Sequence, residues 1–173
     1  MDRNTEQDER YRQAAEAFGP ALERLARGYE RDPHLRRDLV QDIHVALWRS
    51  FAAFDGLCSV RTWVYRVAHN TATSHVLRRR RATAGLVGLD QIPDPPSGDD
   101  PEASASVRQA LERLLALIHD LTPTDRQVAL LYLEDLDAAA IGEVTGFSAG
   151  AVAVRIHRLK AILAARFHDR RPS

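Results

Sequence analysis

Apolar residues recur at steps of three and four along nearly the whole chain, and no segment alternates in the manner of a strand. The opening run places Tyr11, Ala15, Phe18, Leu22, Leu25 and Tyr29 at helical spacing. Gly19-Pro20 is expected to divide it into two helices, the second starting at Pro20, where a missing N–H would have no partner in any case. Arg31-Asp32-Pro33 reads as a turn. From Pro33 to Phe54 the pattern predicts one longer helix, with Leu35, Leu39, Ile43, Leu47 and Phe51 inward and Trp48 and Phe54 widening that face. Asp55-Gly56-Leu57-Cys58-Ser59 interrupts it, and Ser59 can cap a further helix. That helix is expected to bury Val60, Trp63, Val64, Val67 and Thr71 and to leave Arg61, Tyr65, Arg66 and His69 outside.

The helical period disappears between Ala82 and about Ser104, where Gly, Pro, Ser and Asp dominate. It resumes at Val107 with Leu111, Leu114, Leu115 and Ile118. Thr122-Pro123 opens the next helix, whose Val128, Leu131 and Tyr132 can close a small core. Leu136 to Arg166 then reads as two helices around a tight turn. Ala140, Ile141 and Val144 mark the first, Gly146 can take the positive φ of the reversal, and Ser148 can cap the second. Val152, Ile156, Leu159 and Leu163 form the buried stripe of that second helix. The expected fold is all-α: two small helical domains, 1–81 and 107–173, joined by a flexible acidic linker, 82–106, with a helix-turn-helix in the second domain.

On a helical wheel, Ala151, Val154, His157, Arg158 and Ala161 face away from the stripe, with Arg155 and Lys160 on its flanks. This is the build of a recognition helix, in which arginines pair with guanine and small apolar groups touch thymine methyls. A helical hairpin with ordinary solvated arginines has the same pattern. In the first domain, Asp38, Gln41, Asp42 and Arg49 form a polar row that by itself reads as a solvated face. The aromatic and basic residues that follow, ending in Arg78, Arg79, Arg80 and Arg81, suit single-stranded nucleic acid.

Charge sharpens this picture. Lys+Arg and Asp+Glu are both 24 among 173 residues, so the net charge is zero, which argues against a protein that grips DNA alone by bulk electrostatics. The basic run is followed by a segment carrying Asp90, Asp94, Asp99, Asp100 and Glu102 with no basic residue. Local segregation of this kind fits a protein that touches phosphate while a partner supplies most of the affinity. A lone cysteine, Cys58, excludes an internal disulfide framework. His69 and His75 do not share a helix face, so no metal site is expected, and no phosphate-binding loop or nucleophile motif points to an enzyme or a cofactor. The charged start lacks the apolar core of a signal peptide, and no apolar run is long enough to span a membrane, so a cytoplasmic protein is expected.

Four stretches, DLVQDIHVALWRSF, SVRTWVYRVAHNTATSHVLRRRR, LTPTDRQVALLYLEDL and the helix-turn-helix, in this order and around this linker, resemble the bacterial RNA polymerase sigma factors of the extracytoplasmic-function group. The resemblance implies a non-catalytic subunit that binds core RNA polymerase and directs promoter-specific initiation. It implies that Asp38, Gln41, Asp42 and Arg49 meet the clamp helices of the largest subunit, with the flap as a further polymerase contact. Asp55, Leu57, Cys58, Ser59 and Asn70 would read the melted minus-ten element, with Arg61, Arg66 and Arg78 to Arg81 on phosphates. Ser148, Ala151, Val154, Arg155, His157, Arg158 and Lys160 would read the minus-thirty-five element as duplex. An anti-sigma partner is implied too, able to hold the protein at the membrane without its own insertion.

The chain departs from the family pattern in two places. Phe54-Asp55-Gly56-Leu57-Cys58 stands where Phe-Arg-Gly and a small polar or acidic residue are usual, and Ala151-Val152-Ala153 replaces Thr-Val-Lys. The second change leaves Arg155, His157 and Arg158 to carry more of the readout, together with apolar contacts and DNA shape. Two other readings stay open at this point: a sigma-like protein that sequesters an anti-sigma factor, and an autonomous helix-turn-helix repressor.

Overall fold

The computed structural model describes residues 3–84 and 103–169, and within these every regular element is helical. The first half comprises α1 (Arg3–Tyr29), α2 (Pro33–Ser50), a short 3-10 turn (Phe51–Ala53) and α3 (Val60–Thr83). Asp32 starts α2: its Oδ1 accepts the N–H groups of His34 and Leu35 at 2.8 and 3.0 Å, and Pro33 occupies the first turn. Leu39, Ile43, Leu47 and Phe51 then fall on one face and are buried against Leu22 and Leu25 of α1 and Val64 of α3. Each such side chain contributes roughly 1.5–3 kcal/mol through removal from water.

The structure corrects the pattern in several places. α2 ends at Ser50 and not at Phe54, and Val107, Leu111 and Tyr132 are exposed and not part of a core. Three further details concern α1, Trp48 and α3. α1 is one helix, with Pro20 inside it. Pro20 lies on the exposed side, where water can satisfy the carbonyl one turn earlier, while Ala14, Ala21 and Leu22 anchor the helix on both sides of it. Trp48 points outward, 39% exposed, and donates its indole N–H to Asp8 at 2.7 Å. α3 is rotated from the expected setting: Val60 is exposed, whereas Tyr65 and His69 are buried. Both tolerate burial because their polar atoms find partners, the Tyr29 hydroxyl meeting His69 Nδ1 at 2.7 Å and the Tyr65 hydroxyl reaching Glu134 at 3.5 Å.

The second half comprises α4 (Ala103–His119), α5 (Pro123–Leu133), α6 (Ala138–Thr145) and α7 (Ala149–Asp169). Most of the expected acidic linker, residues 85–102, lies outside the described residues; Ala82 and Thr83 end α3, and Ala103 to Ser106 begin α4. Arg126 of α5 is buried and donates to the carbonyls of Ile118, His119 and Leu121, at 3.2, 2.6 and 3.4 Å. A cation thereby closes the C-terminal end of α4, where carbonyls lack helical partners and the dipole favours positive charge.

α6 and α7 meet at 108°. Gly146 makes the reversal at φ 82°, and Ser148 caps α7 by accepting the Ala151 N–H at 3.2 Å. The turn folds back so closely that a Cβ on Gly142 would lie 2.6 Å from the Phe147 carbonyl oxygen. The two halves also pack on each other: α6 lies along α3, and Leu130 of α5 sits over Gly28 of α1, where a Cβ would come within 2.4 Å of it.

Gly142→Val is expected to destabilise the second half by about 2–3 kcal/mol through overpacking against backbone, read as a fall in its thermal midpoint. Acid should also destabilise the protein. Burial lowers the pKa of His69 to about 3, and that of His119 to about 4 with the charges of Arg31 and Arg126 adding to burial. Below about pH 6.5 the unfolded chain therefore binds protons that the folded one refuses. From pH 7 to pH 5 the His69 contribution alone should remove about 2 kcal/mol in urea unfolding, an amount absent from His69→Phe.

Candidate nucleic-acid interface

Burial of Val152 and Leu159 fixes the rotation of α7 and turns Ala151, Val154, His157 and Arg158 to solvent, with Val154 70% exposed. Arg155 is half-buried beside them: its guanidinium lies 5.0 Å from the Phe147 ring centroid and donates through Nη1 to Asp125 Oδ1 at 2.9 Å. Arg158 Nη2 reaches the same carboxylate, at 3.1 and 3.2 Å. Lys160 sits over the ring of Tyr132, 4.8 Å from its centroid. One helix face thus presents two arginines, a histidine and two small apolar side chains, the chemistry that reads base edges in a major groove.

In the first half, the loop before α3 is set by Gly56 at φ 77°, by Asp55 Oδ1 accepting the Leu57 N–H at 3.1 Å, and by Ser59 accepting the Thr62 N–H at 3.0 Å. Leu57 projects with 89% exposure. Gly56, Leu57, Cys58 and Ser59 line one side of an open cleft of about 680 Å³, and Arg66 and Glu143 line the other. Glu143 belongs to α6, so the second half supplies part of this wall. Asn70 is exposed farther along α3.

The expected phosphate-binding arginines separate by what they touch. Arg61 donates through Nη2 to the Glu134 carbonyl at 2.8 Å, and Arg66 through Nη2 to the Glu143 carbonyl at 2.7 Å. Glu143 Oε2 also accepts the Thr62 hydroxyl at 3.0 Å, and Glu134 takes Arg24 of α1 in a two-bond pair at 2.6 and 2.7 Å. Glu134, Glu143, Arg24 and Asp125 were not marked by sequence, because their partners lie 30 to 110 positions away. In the basic run, Arg80 and Arg81 are exposed and Arg78 reaches Asp42 at 3.4 Å. Arg79 grips the buried Glu30 carboxylate, with Nη1 at 2.6 and 2.7 Å from its oxygens, and so ties the end of α3 to α1.

Asp38, Gln41, Asp42 and Arg49 lie exposed along the outer face of α2, where Asp42 meets Arg78 at the end of α3. Their alignment follows directly from the burial of Leu39, Ile43 and Leu47.

Residues 14–82 match the family described as Sigma-70 region 2, and residues 111–163 match Sigma-70, region 4. The RNA polymerase sigma-E factor of Streptomyces avermitilis is 31% identical over 154 residues, which cover 87% of this chain and 80% of that protein. The ECF RNA polymerase sigma factor SigG of Mycobacterium tuberculosis is 28% identical over 155 residues and 75% of this chain; the chain spans 41% of its length. Among solved structures, the sigma factor RpoE in complex with the anti-sigma factor NepR from Bartonella quintana has the same fold. Its TM-score is 0.73 at 18% identity, over 93% of this chain and 98% of that one.

Glu134→Lys replaces the acceptor of Arg24 with a like charge and is expected to separate the halves. In small-angle scattering the unaltered chain should have a radius of gyration near the compact value of about 16 Å. The variant should exceed it with unchanged helix content; identical curves would mean that these contacts do not hold the halves together.

Proposed function

We propose, for a chain that belongs to the extracytoplasmic-function group of RNA polymerase sigma factors, that it binds core RNA polymerase and directs promoter-specific initiation. The observation that carries this reading is the outer face of α7, where Ala151, Val154, His157 and Arg158 project beside Arg155 from a 108° helix-turn-helix. In this proposal α7 enters the major groove of the minus-thirty-five element, with the early residues on base edges and Ser148 and Lys160 at the groove margins. Ala151 and Ala153 stand where a hydroxyl and an ammonium are usual in the family, and Ala151 and Val154 offer methyl contacts instead.

The first half reads the minus-ten element as a melted strand. A base displaced from the stack enters the cleft beside Gly56, Leu57, Cys58 and Ser59, and Asp55 and Asn70 supply polar contacts at its rim. Phosphates are held by Arg61 and Arg66, then by Arg78, Arg80 and Arg81, with Arg79 contributing through its hold on Glu30. Because Arg61 and Arg66 donate to carbonyls of the second half, this reading requires the halves to part before the strand is bound. Asp38, Gln41, Asp42 and Arg49 face the clamp helices of the largest polymerase subunit, where exposed carboxylates complement a basic surface. The flap is the second polymerase contact. An anti-sigma factor is the regulatory partner in this proposal, and the cytoplasm is the site of action, with the partner able to retain the protein at the membrane. No catalytic step is assigned to the chain.

The test is run-off transcription from randomised promoters with core polymerase, with and without the protein, beside DNA binding by the protein alone. Polymerase-dependent, sequence-selective initiation with weak solo binding is expected. Arg155→Ala and Arg158→Ala should each reduce selective initiation about tenfold, the discrimination typical of one good base contact. Core polymerase that is neither bound nor redirected would overturn the reading; tight solo binding to duplex would then indicate a repressor.

A further inference from the structure

Asp125 lies at the third position of α5, where its own N–H goes to the capping Thr122 hydroxyl at 3.3 Å and the helix dipole favours a carboxylate. Its side chain is only 14% exposed. Its Oδ1 accepts from both Arg155 Nη1 and Arg158 Nη2, thirty and thirty-three residues farther along the chain. These are the two guanidinium groups on the DNA-directed side of α7. The bond from Arg155 uses Nη1 alone, so the adjacent Nε and Nη2 donors remain, and they are the fork that pairs with the two acceptors of a guanine edge. The Phe147 ring, 5.0 Å from the guanidinium carbon, restricts the Arg155 plane from a second side.

We infer that Asp125 is a positioning residue that sets base specificity in the upstream element by holding Arg155 and Arg158 in one presentation. This rests on the proposed reading that α7 enters the minus-thirty-five groove. An arginine on a free stem samples many rotamers and can settle on any nearby phosphate. Held through one nitrogen, it offers a defined edge to the bases and loses its choice of phosphate. The carboxylate also places negative charge beside the groove, which weakens sequence-independent attachment. Loss of Asp125 therefore exchanges specificity for indiscriminate affinity, whereas loss of a merely structural residue would lower output from all promoters alike.

The experiment uses the full chain with core polymerase on promoters randomised across the upstream element, and reads the ratio of output between best and worst base at each position. Asp125→Ala is expected to reduce that ratio about tenfold at the positions that Arg155→Ala or Arg158→Ala also flatten. Duplex binding to arbitrary sequence should meanwhile stay equal or rise. Asp125→Ser keeps a small polar residue near the helix start but cannot span to either guanidinium, and gives the same reading should the alanine variant fold poorly. Asp125→Asn keeps the Oδ1 acceptor without charge and should recover most of the preference. The inference is overturned if the arginine variants flatten the profile while Asp125→Ala and Asp125→Ser do not, with the wider reading intact. A uniform loss with preserved ratios overturns it as well, as does an asparagine variant as flat as alanine, which would assign the effect to charge. If no variant at all changes the profile, this inference and the assignment of α7 fall together.

Discussion

The arrangement depends on α3 being buried from two sides. One side packs Val64, Ala68 and Ala72 into the core shared with α1 and α2, and the other carries Thr62 and Arg66 against α6. A helix in that position cannot keep a simple apolar stripe. Its polar residues must either end in specific partners, as His69 does on Tyr29, or point to carbonyls of the neighbouring half, as Arg61 and Arg66 do. The same requirement sets the chemistry of the interface between halves. Leu130 approaches Gly28 closely there, arginines and hydroxyls reach Glu134 and Glu143, His119 Nε2 meets the Arg27 carbonyl at 3.0 Å, Arg31 lies 3.8 Å from Asp120, and Arg126 sits over the Tyr29 ring.

Much of the architecture could be read from spacing. The helices announced themselves by apolar steps of three and four, and their boundaries by side chains with local mechanisms: Ser59 and Ser148 as caps, Gly146 as the positive-φ residue of the turn. These features are local, so the pattern contains them. The outer faces of α2 and α7 were legible for a related reason, since a well-defined buried stripe fixes its opposite. Where a second packing surface intervened, periodicity failed. Tyr65 and His69 look like outward residues on a one-sided helix and are buried in a two-sided one. Pro20 looks like a break because its effect on the backbone is local, whereas the core contacts that carry the helix through it are not.

The cations of the proposed site stood out in the sequence, whereas most of the carboxylates that engage them, Asp42 apart, did not. Basic residues stood out as a run and as a helix face, while the carboxylates that engage them, Glu30, Asp125, Glu134 and Glu143, lay scattered among ordinary charged positions. Each acquires meaning only from a partner far away in sequence. The expected group of phosphate-directed arginines thus divides into members that brace the fold, members that bridge the halves, and members exposed at the end of α3.

The bridge between the halves is made within one polypeptide, which changes how anything else must compete for it. Tethered surfaces meet at effective concentrations of about millimolar, independent of how dilute the protein is. A ligand for the Arg61 and Arg66 face therefore competes with a neighbour that is always present, and its apparent affinity is reduced by the fraction of molecules in which that face is open. Dilution alone cannot expose the face. A partner that binds the two halves separately gains the whole of that fraction at once, so two modest contacts on different domains can outcompete a single strong one.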